Sequence, residues 1–327
     1  MEIKLGTIGS GVIVHSVLDN VKKFNSITLE AVYSRSLEKA QNLANKYNAK
    51  KIYTDFNEFL SDESINTIYI ATPNLLHFEQ AKKSLLSGKN VICEKPLVTK
   101  FSHAQELKKI AREKNLFIVE AAPTFFLPNF AILKREIHKI GKIKLIMSNY
   151  SQYSSRYDLV LKGEKPNIFN PDYAGGCLMD INFYNVLLNV ALFGEPENAI
   201  YYPNIYPNLA DTSGVFVMQY KDFISQNSGA KDTWGVNFFQ IEGEKGFIYI
   251  EDGSNGIKKL RVVTKNSDET FNEQNNPDRW YYEVKELSRL ILENNFSQLE
   301  KFFDISISTV KIIETTRKNA GIIFPND

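Results

Sequence analysis

The sequence predicts an α/β protein in which an amino-terminal doubly wound parallel sheet precedes a carboxy-terminal, largely antiparallel α+β domain. Three observations lead there. Short apolar strands alternate with amphipathic helices up to residue 122, the stretch Ile68 to Leu97 reads β-turn-α-turn-β, and after Pro123 a run of strands separated by polar turns takes over. The implied domains are residues 1–122 and 123–327.

Ile3 to Ile8 is the first strand, followed by Gly9-Ser10-Gly11 and a helical pattern through Val17, Leu18, Val21 and Phe24. A dinucleotide fingerprint belongs at such a strand-to-helix turn. Gly9 permits the tight turn, and Gly11 lets backbone N–H groups approach a pyrophosphate at the helix amino end. Val14 takes the place of the third small residue and should hold helix and strand slightly apart. The second strand, Leu29 to Tyr33, runs into Ser34-Arg35-Ser36 rather than an acid. A hydroxyl and a guanidinium suit an adenosine 2'-phosphate, which a carboxylate would repel, so NADP is favoured and NAD is the alternative. Glu30 sits too early in the strand to serve as a strand-end acid. Leu37 to Tyr47 continues as an amphipathic helix, Ile52-Tyr53 is a minimal strand, and Thr54-Asp55-x-x-Glu58 opens another helix with capping-box character.

In the stretch from 68 to 97, the runs Thr67 to Ala71 and Asn90 to Cys93 have the β-branched bias of strands buried on both faces. Asn74 can cap the helix between them, and Gly88 closes it. Ligands of open parallel sheets bind beyond the strands' carboxyl ends, where Thr72-Pro73-Asn74 and Glu94-Lys95-Pro96 fall. Lys95, restricted by the proline after it, is the leading candidate for a proton donor or acceptor. A helix from about Ser102 to Lys114 and a strand from Leu116 to Ala121 complete the six-stranded pattern.

Beyond Pro123, a helix with Phe130, Leu133, Ile137 and Ile140 ends at Gly141. Strands follow at 142–150, 211–220, 233–241, 247–251 and 258–264, and helices at 278–293 and 299–319 close the chain. Within this half, Gly175-Gly176-x-x-x-Asp180-x-x-x-Tyr184 forms a second chemical cluster. If Met179 onward is helical, Asp180 and Tyr184 share one face with their Cβ atoms about 6 Å apart.

Acids and bases nearly balance, 38 against 39, which gives no footprint for nucleic acid or an anionic membrane surface. The two cysteines, Cys93 and Cys177, fit a reducing, cytoplasmic setting. Histidines at 15, 77, 103 and 138 lack metal-ligand spacing, so no metal site is expected. No continuous apolar run approaches the ~18 residues of a membrane span.

Taken together, Ile8-Gly9-Ser10-Gly11, Ser34-Arg35, Ala71-Thr72-Pro73-Asn74 with His77, Gly88-Lys89-x-Val91, Glu94-Lys95-Pro96, Glu120 and the Gly175-to-Tyr184 cluster resemble the glucose-fructose oxidoreductase and inositol dehydrogenase family, Gfo/Idh/MocA. The tyrosine at 184 resembles the branch with the glucose-fructose and trans-dihydrodiol enzymes. The resemblance implies a Rossmann domain and a substrate domain whose large open sheet makes homodimers or homotetramers. It implies cofactor contacts from Gly9, Ser10, Gly11, Ser34, Arg35, Thr72, Pro73, Asn74, His77, Glu94 and Lys95, with Asp180 and Tyr184 joining Lys95 in catalysis. The implied reaction is hydride transfer between a nicotinamide and a secondary alcohol of a sugar, cyclitol or dihydrodiol. Lys95 and Tyr184 both remain candidates for the proton carrier. A nicotinamide-dependent glycosidase and a dinucleotide-binding sensor without chemistry are the rival readings. Val14, Asn182 and the absence of an arginine before Pro128 depart from the family pattern.

Overall fold

The computed structural model describes residues 2–207 and 209–327. It divides into two compact units, Met1–Pro123 with Asp278–Ile307, and Thr124–Pro277 with Ser308–Asp327.

The first unit is built from β1 (Ile3–Ile8), α1 (Val12–Val21), β2 (Ile27–Tyr33), α2 (Leu37–Tyr47), β3 (Lys51–Tyr53), α3 (Phe56–Ser61), β4 (Thr67–Ile70), α4 (His77–Leu86), β5 (Asn90–Glu94), α5 (Phe101–Glu113) and β6 (Ile118–Ala121). The sheet order is β3-β2-β1-β4-β5-β6, and every neighbouring pair is parallel. The strand order reverses between β1 and β4, which makes the carboxyl ends of those strands the switch point where a ligand crevice opens. Asp55 caps α3 by accepting from the N–H groups of Asn57 (2.8 Å) and Glu58 (2.9 Å), and Gly88 closes α4 at φ +77°. Asn74 opens a 3₁₀ turn, Asn74–Leu76, rather than capping α4 directly.

The second unit holds α6 (Pro128–Glu136), β7 (Ile143–Ser151), α7 (Tyr157–Leu161), α8 (Phe183–Phe193), β8 (Asn198–Ile205), β9 (Asp211–Gln219), β10 (Ile224–Ala230), β11 (Phe238–Gly243), β12 (Gly246–Glu251), α9 (Gly253–Gly256), β13 (Lys259–Thr264) and β14 (Asp268–Phe271). Its sheet runs β14-β13-β12-β11-β7-β10-β9-β8, antiparallel except for β7 with β10. Three of these strands escape the sequence pattern. Pro203 interrupts β8, an edge position where a missing N–H is tolerated. In β10 the inward residues are Ser225, Asn227 and Gly229, and β14 is only four residues long.

Two helices follow, α10 (Arg279–Leu292) and α11 (Phe296–Asn319). The sequence pattern groups residues 278–307 with the second domain, whereas they pack in the first unit. Val284 of α10 joins the core made by Val17, Val21, Leu5 and Tyr69. The helical segment Pro171–Phe193 is long and apolar enough to cross a membrane, at a mean hydropathy of 1.3, although no uninterrupted apolar run in the sequence suggests it. Most of it is buried inside the protein, as expected of a core helix.

Candidate active site

In the first unit the expected ligand residues stand on successive strand ends. Gly9 follows β1 at φ +115°, and a Cβ there would lie 2.3 Å from the Ala71 carbonyl oxygen. Only glycine fits that turn. Gly11, at the amino end of α1, has open space where a side chain would start, and the first turn of α1 carries no acid. An anion therefore meets exposed N–H groups and the positive end of the helix dipole without competition. Val14 is buried beside this turn. Ser34 and Arg35 follow β2, with Arg35 exposed, while Glu30 is buried and paired to Lys50 at 2.7 Å. No carboxylate of β2 is left to compete for an anion beside Ser34 and Arg35. The residues present fit a dinucleotide.

The loops after β4 and β5 are tied together from behind. His77 is 1% exposed, with Nδ1 2.9 Å from the Pro96 carbonyl oxygen and Nε2 2.8 Å from that of Thr72. Both ring nitrogens thus face backbone carbonyls, and the ring ties the loop after β4 to the loop after β5. Burial pushes the imidazole pKa down, and a neutral ring has one N–H for the two carbonyls. The Thr72 hydroxyl donates to Gln80 Oε1 at 2.6 Å, and Pro73 leads into the turn begun by Asn74. Glu94 accepts from the Tyr69 hydroxyl (2.6 Å) and from the Lys95 N–H (3.3 Å). Burial raises its carboxyl above the usual carboxylate range, against the pull of Tyr69 and Lys95. The Lys95–Pro96 bond is cis.

In the second unit, Leu178–Asn182 is a π-helical turn that runs straight into α8. Asp180 lies in the turn and Tyr184 in the first turn of α8. Their separation therefore spans a change of helical pitch rather than one α-helical repeat. Asp180 is partly exposed and ion-paired to Lys231, which is nearly buried. Tyr184 is buried, with its ring 6.1 Å from that of Tyr150. Asp211 holds the entry to this segment, since its Oδ2 accepts from Leu178 N–H (2.7 Å) and the Tyr201 hydroxyl (2.6 Å). A Cβ at Gly176 would strike Asp211 Oδ1 at 2.2 Å. Burial drives the Asp211 carboxyl up to about 6. Asn182, which departs from the family pattern, fits because it lies against Gly229, where a Cβ would come within 2.6 Å of its own.

Residues 3–121 match the model of an oxidoreductase family with an NAD-binding Rossmann fold. The chain is 34% identical over 328 residues to the NADP-dependent scyllo-inositol 2-dehydrogenase IolU of Bacillus subtilis, covering 99% of each. It is also 34% identical to the uncharacterized oxidoreductase YgjR of Escherichia coli, over 99% of this chain and 98% of that one. The chain belongs to the Gfo/Idh/MocA oxidoreductases. A solved structure of the 3-ketoreductase KijD10 from Actinomadura kijaniata, with NADP and TDP-benzene, has the same fold at a TM-score of 0.84 and 18% identity. That likeness covers 97% of this chain and 98% of KijD10.

Two groups in this Gfo/Idh/MocA oxidoreductase carry no motif of their own in the candidate-site reading. Lys231 follows a strand with a polar inner face, so nothing marks it as the end of an element. Glu120 figures in the family pattern, but its structural job shows only in three dimensions. Fully buried, it accepts from Leu97 N–H (2.6 Å) and the Ser306 hydroxyl (2.6 Å), anchoring the Lys95 loop to α11.

Proposed function

We propose that this enzyme transfers hydride between NADP and a secondary alcohol or ketone carbon of a polyhydroxylated ring, a cyclitol or a sugar. The observation that carries the reading is the lysine: Lys95 directly follows the strand next to the switch-point pair, on a loop braced by His77 and Glu120. NADP-dependent scyllo-inositol oxidation by a full-length relative supports both cofactor and substrate class, and NAD remains the alternative cofactor.

The cofactor supplies the hydride acceptor or donor. Gly9, Ser10 and Gly11 would hold its phosphates, Ser34 and Arg35 its adenosine end, and Thr72, Pro73, Asn74, Glu94 and Lys95 its nicotinamide half. As hydride leaves a carbinol carbon, the hydroxyl proton needs an acceptor within hydrogen-bond reach. Tyr184 fills that role in our reading, with Lys95 polarising the oxygen and Asp180, steadied by Lys231, orienting them. In this reading residues 1–122, with 278–307 packed in the same unit, serve the cofactor, and the rest of 123–327 serves the substrate and assembly. The substrate unit's sheet leaves Ile200, Tyr202 and Ile224 exposed on the face opposite its core, a surface suited to a second copy of the chain as a homodimer or homotetramer. Buried, free Cys93 and Cys177 accord with a reducing, cytoplasmic location.

The test is reduced-nicotinamide absorbance during incubation with scyllo-inositol, myo-inositol and aldoses. Turnover with NADP that falls at least a hundredfold in Lys95→Ala and in Tyr184→Phe supports the assignment. Full turnover in Tyr184→Phe would move the proton to Lys95, and full turnover in Lys95→Ala would end the reading.

A further inference from the structure

Between β10 and β11 the chain displays an indole stacked on a buttressed aromatic neighbour. Trp234 is 79% exposed, yet one face stacks on Tyr153, with centroids 5.6 Å apart and planes within 11°. Tyr153 donates its hydroxyl to Asp158 at 2.6 Å and packs edge-on against Tyr157. Tyr157 is in turn edge-on to Phe169 and Tyr206. The linker backbone is pinned at both ends. Lys231 N–H donates to the Thr212 carbonyl (2.8 Å) and Ser154 N–H to the Lys231 carbonyl (2.9 Å). Asn149 donates to the Val236 carbonyl (2.9 Å), and Ser151 N–H to Asn237 Oδ1 (2.8 Å). The open face of the indole is therefore presented on a fixed base.

What lies beside it defines the ligand. Three residues of chain, at most about 11 Å between Cα atoms, separate Trp234 from Lys231, whose ammonium group is ion-paired to Asp180. Asp232 lies between, accepting from the Thr212 hydroxyl (2.7 Å) and the Ser213 hydroxyl (2.9 Å). Carboxylates and hydroxyls bind hydroxyl groups, whereas the electron-rich face of an indole attracts polarised C–H bonds. One molecule satisfies both kinds of surface: a saturated ring whose hydroxyls are equatorial, so that its C–H bonds point axially from its faces. We infer that Trp234 is the stacking platform for the substrate ring and selects rings with no axial hydroxyl on the stacked face. This deepens the proposed function and rests on it.

The test compares scyllo-inositol, which has no axial hydroxyl, with myo-inositol, which has one, and with an acyclic polyol, which has no ring face. Trp234→Ala should raise KM for scyllo-inositol about tenfold while kcat changes less than twofold, and Trp234→Phe should recover most of that loss. The chain has two tryptophans, so a Trp280→Phe background isolates Trp234. Its emission should then change saturably with scyllo-inositol and not with the acyclic polyol. An unchanged KM in Trp234→Ala, or no saturable change in emission, overturns the inference. So does a Trp234→Ala variant that loses only its oligomeric state, since the indole would then belong to a subunit contact. Loss of turnover in Lys95→Ala is read on the same samples, so failure of the platform is distinguishable from failure of the hydride-transfer assignment.

Discussion

Glu120 offers a stability measurement that checks the electrostatics behind the Lys95 loop. Its carboxyl is fully buried, and burial, the largest influence, pushes it from an ordinary 4.5 up to about 7, with the charge of Glu94 adding to the rise. Between those two values the folded protein holds a proton that the unfolded chain releases. Stability from this group is therefore fully present below pH 4.5 and is lost as pH climbs through about 7. At about 1.4 kcal/mol per factor of ten, the rise corresponds to roughly 3 kcal/mol lost between pH 4 and 8. Glu120→Gln is nearly isosteric and can keep the connections. Its Oε1 can accept from Leu97 N–H and its Nε2 can donate to the Ser306 oxygen, leaving the Ser306 hydroxyl for the Phe302 carbonyl 3.3 Å away. Urea unfolding of both proteins from pH 4 to 8 should show the variant gaining roughly 3 kcal/mol relative to the parent across that range. Parallel stability profiles would refute the reasoning. Because Glu94 is part of the cause, a smaller step shared with its titration belongs to the pair.

Three further outcomes are expected. Arg35→Ala should weaken NADPH roughly tenfold or more while leaving NADH within about twofold, since a charge-assisted bond to phosphate is worth about 1.5–3 kcal/mol; paired Kd measurements decide it. Lys231→Met strips the partly exposed Asp180 of its cation, and should lower kcat/KM roughly 10- to 100-fold, with Lys231→Arg recovering part, as read by steady-state kinetics. Asp327→Ala should destabilise the protein by about 3 kcal/mol in denaturant melts, because Arg317 is fully buried and bonded bidentately to Asp327 at 2.5 and 2.7 Å.

The first unit was legible because its local signals and its tertiary burial agree. Strands buried on both faces read as continuous apolar runs, Gly9 and Gly88 stand where the backbone turns left-handed, and Asp55 caps where a cap is wanted. Lys95 and the glycine turn could be placed from sequence because parallel strand ends are ligand sites by topology. For His77 the sequence shows the motif but not its surroundings: the burial of the ring and its two carbonyl partners depend on how the loops after β4 and β5 fold together. The placement of α10 also escaped, since an amphipathic helix declares that it has a buried face but not which sheet covers it.

In the second unit one physical choice accounts for most of what the pattern hides. The face of α8 and its preceding turn that meets the sheet carries Asn182, Asn185 and Asn189, at the spacing of an apolar stripe but with amide side chains, all buried. Asn189 donates to Asn227 Oδ1 (2.8 Å), which also accepts from Ser148 (2.8 Å). Asn185 donates to Asn182 Oδ1 (2.9 Å) and the Ser228 carbonyl (3.0 Å) while accepting from Ser254 (2.6 Å). An apolar seam tolerates sliding at modest cost, whereas a hydrogen-bonded polar seam loses several buried hydrogen bonds if the helix shifts by one residue. The seam therefore fixes the register of the segment bearing Asp180 and Tyr184 against β10, whose end delivers Lys231. The same polar filling that fixes the register removes the hydrophobic alternation by which β10 would announce itself, so strand and lysine were hidden by a single cause.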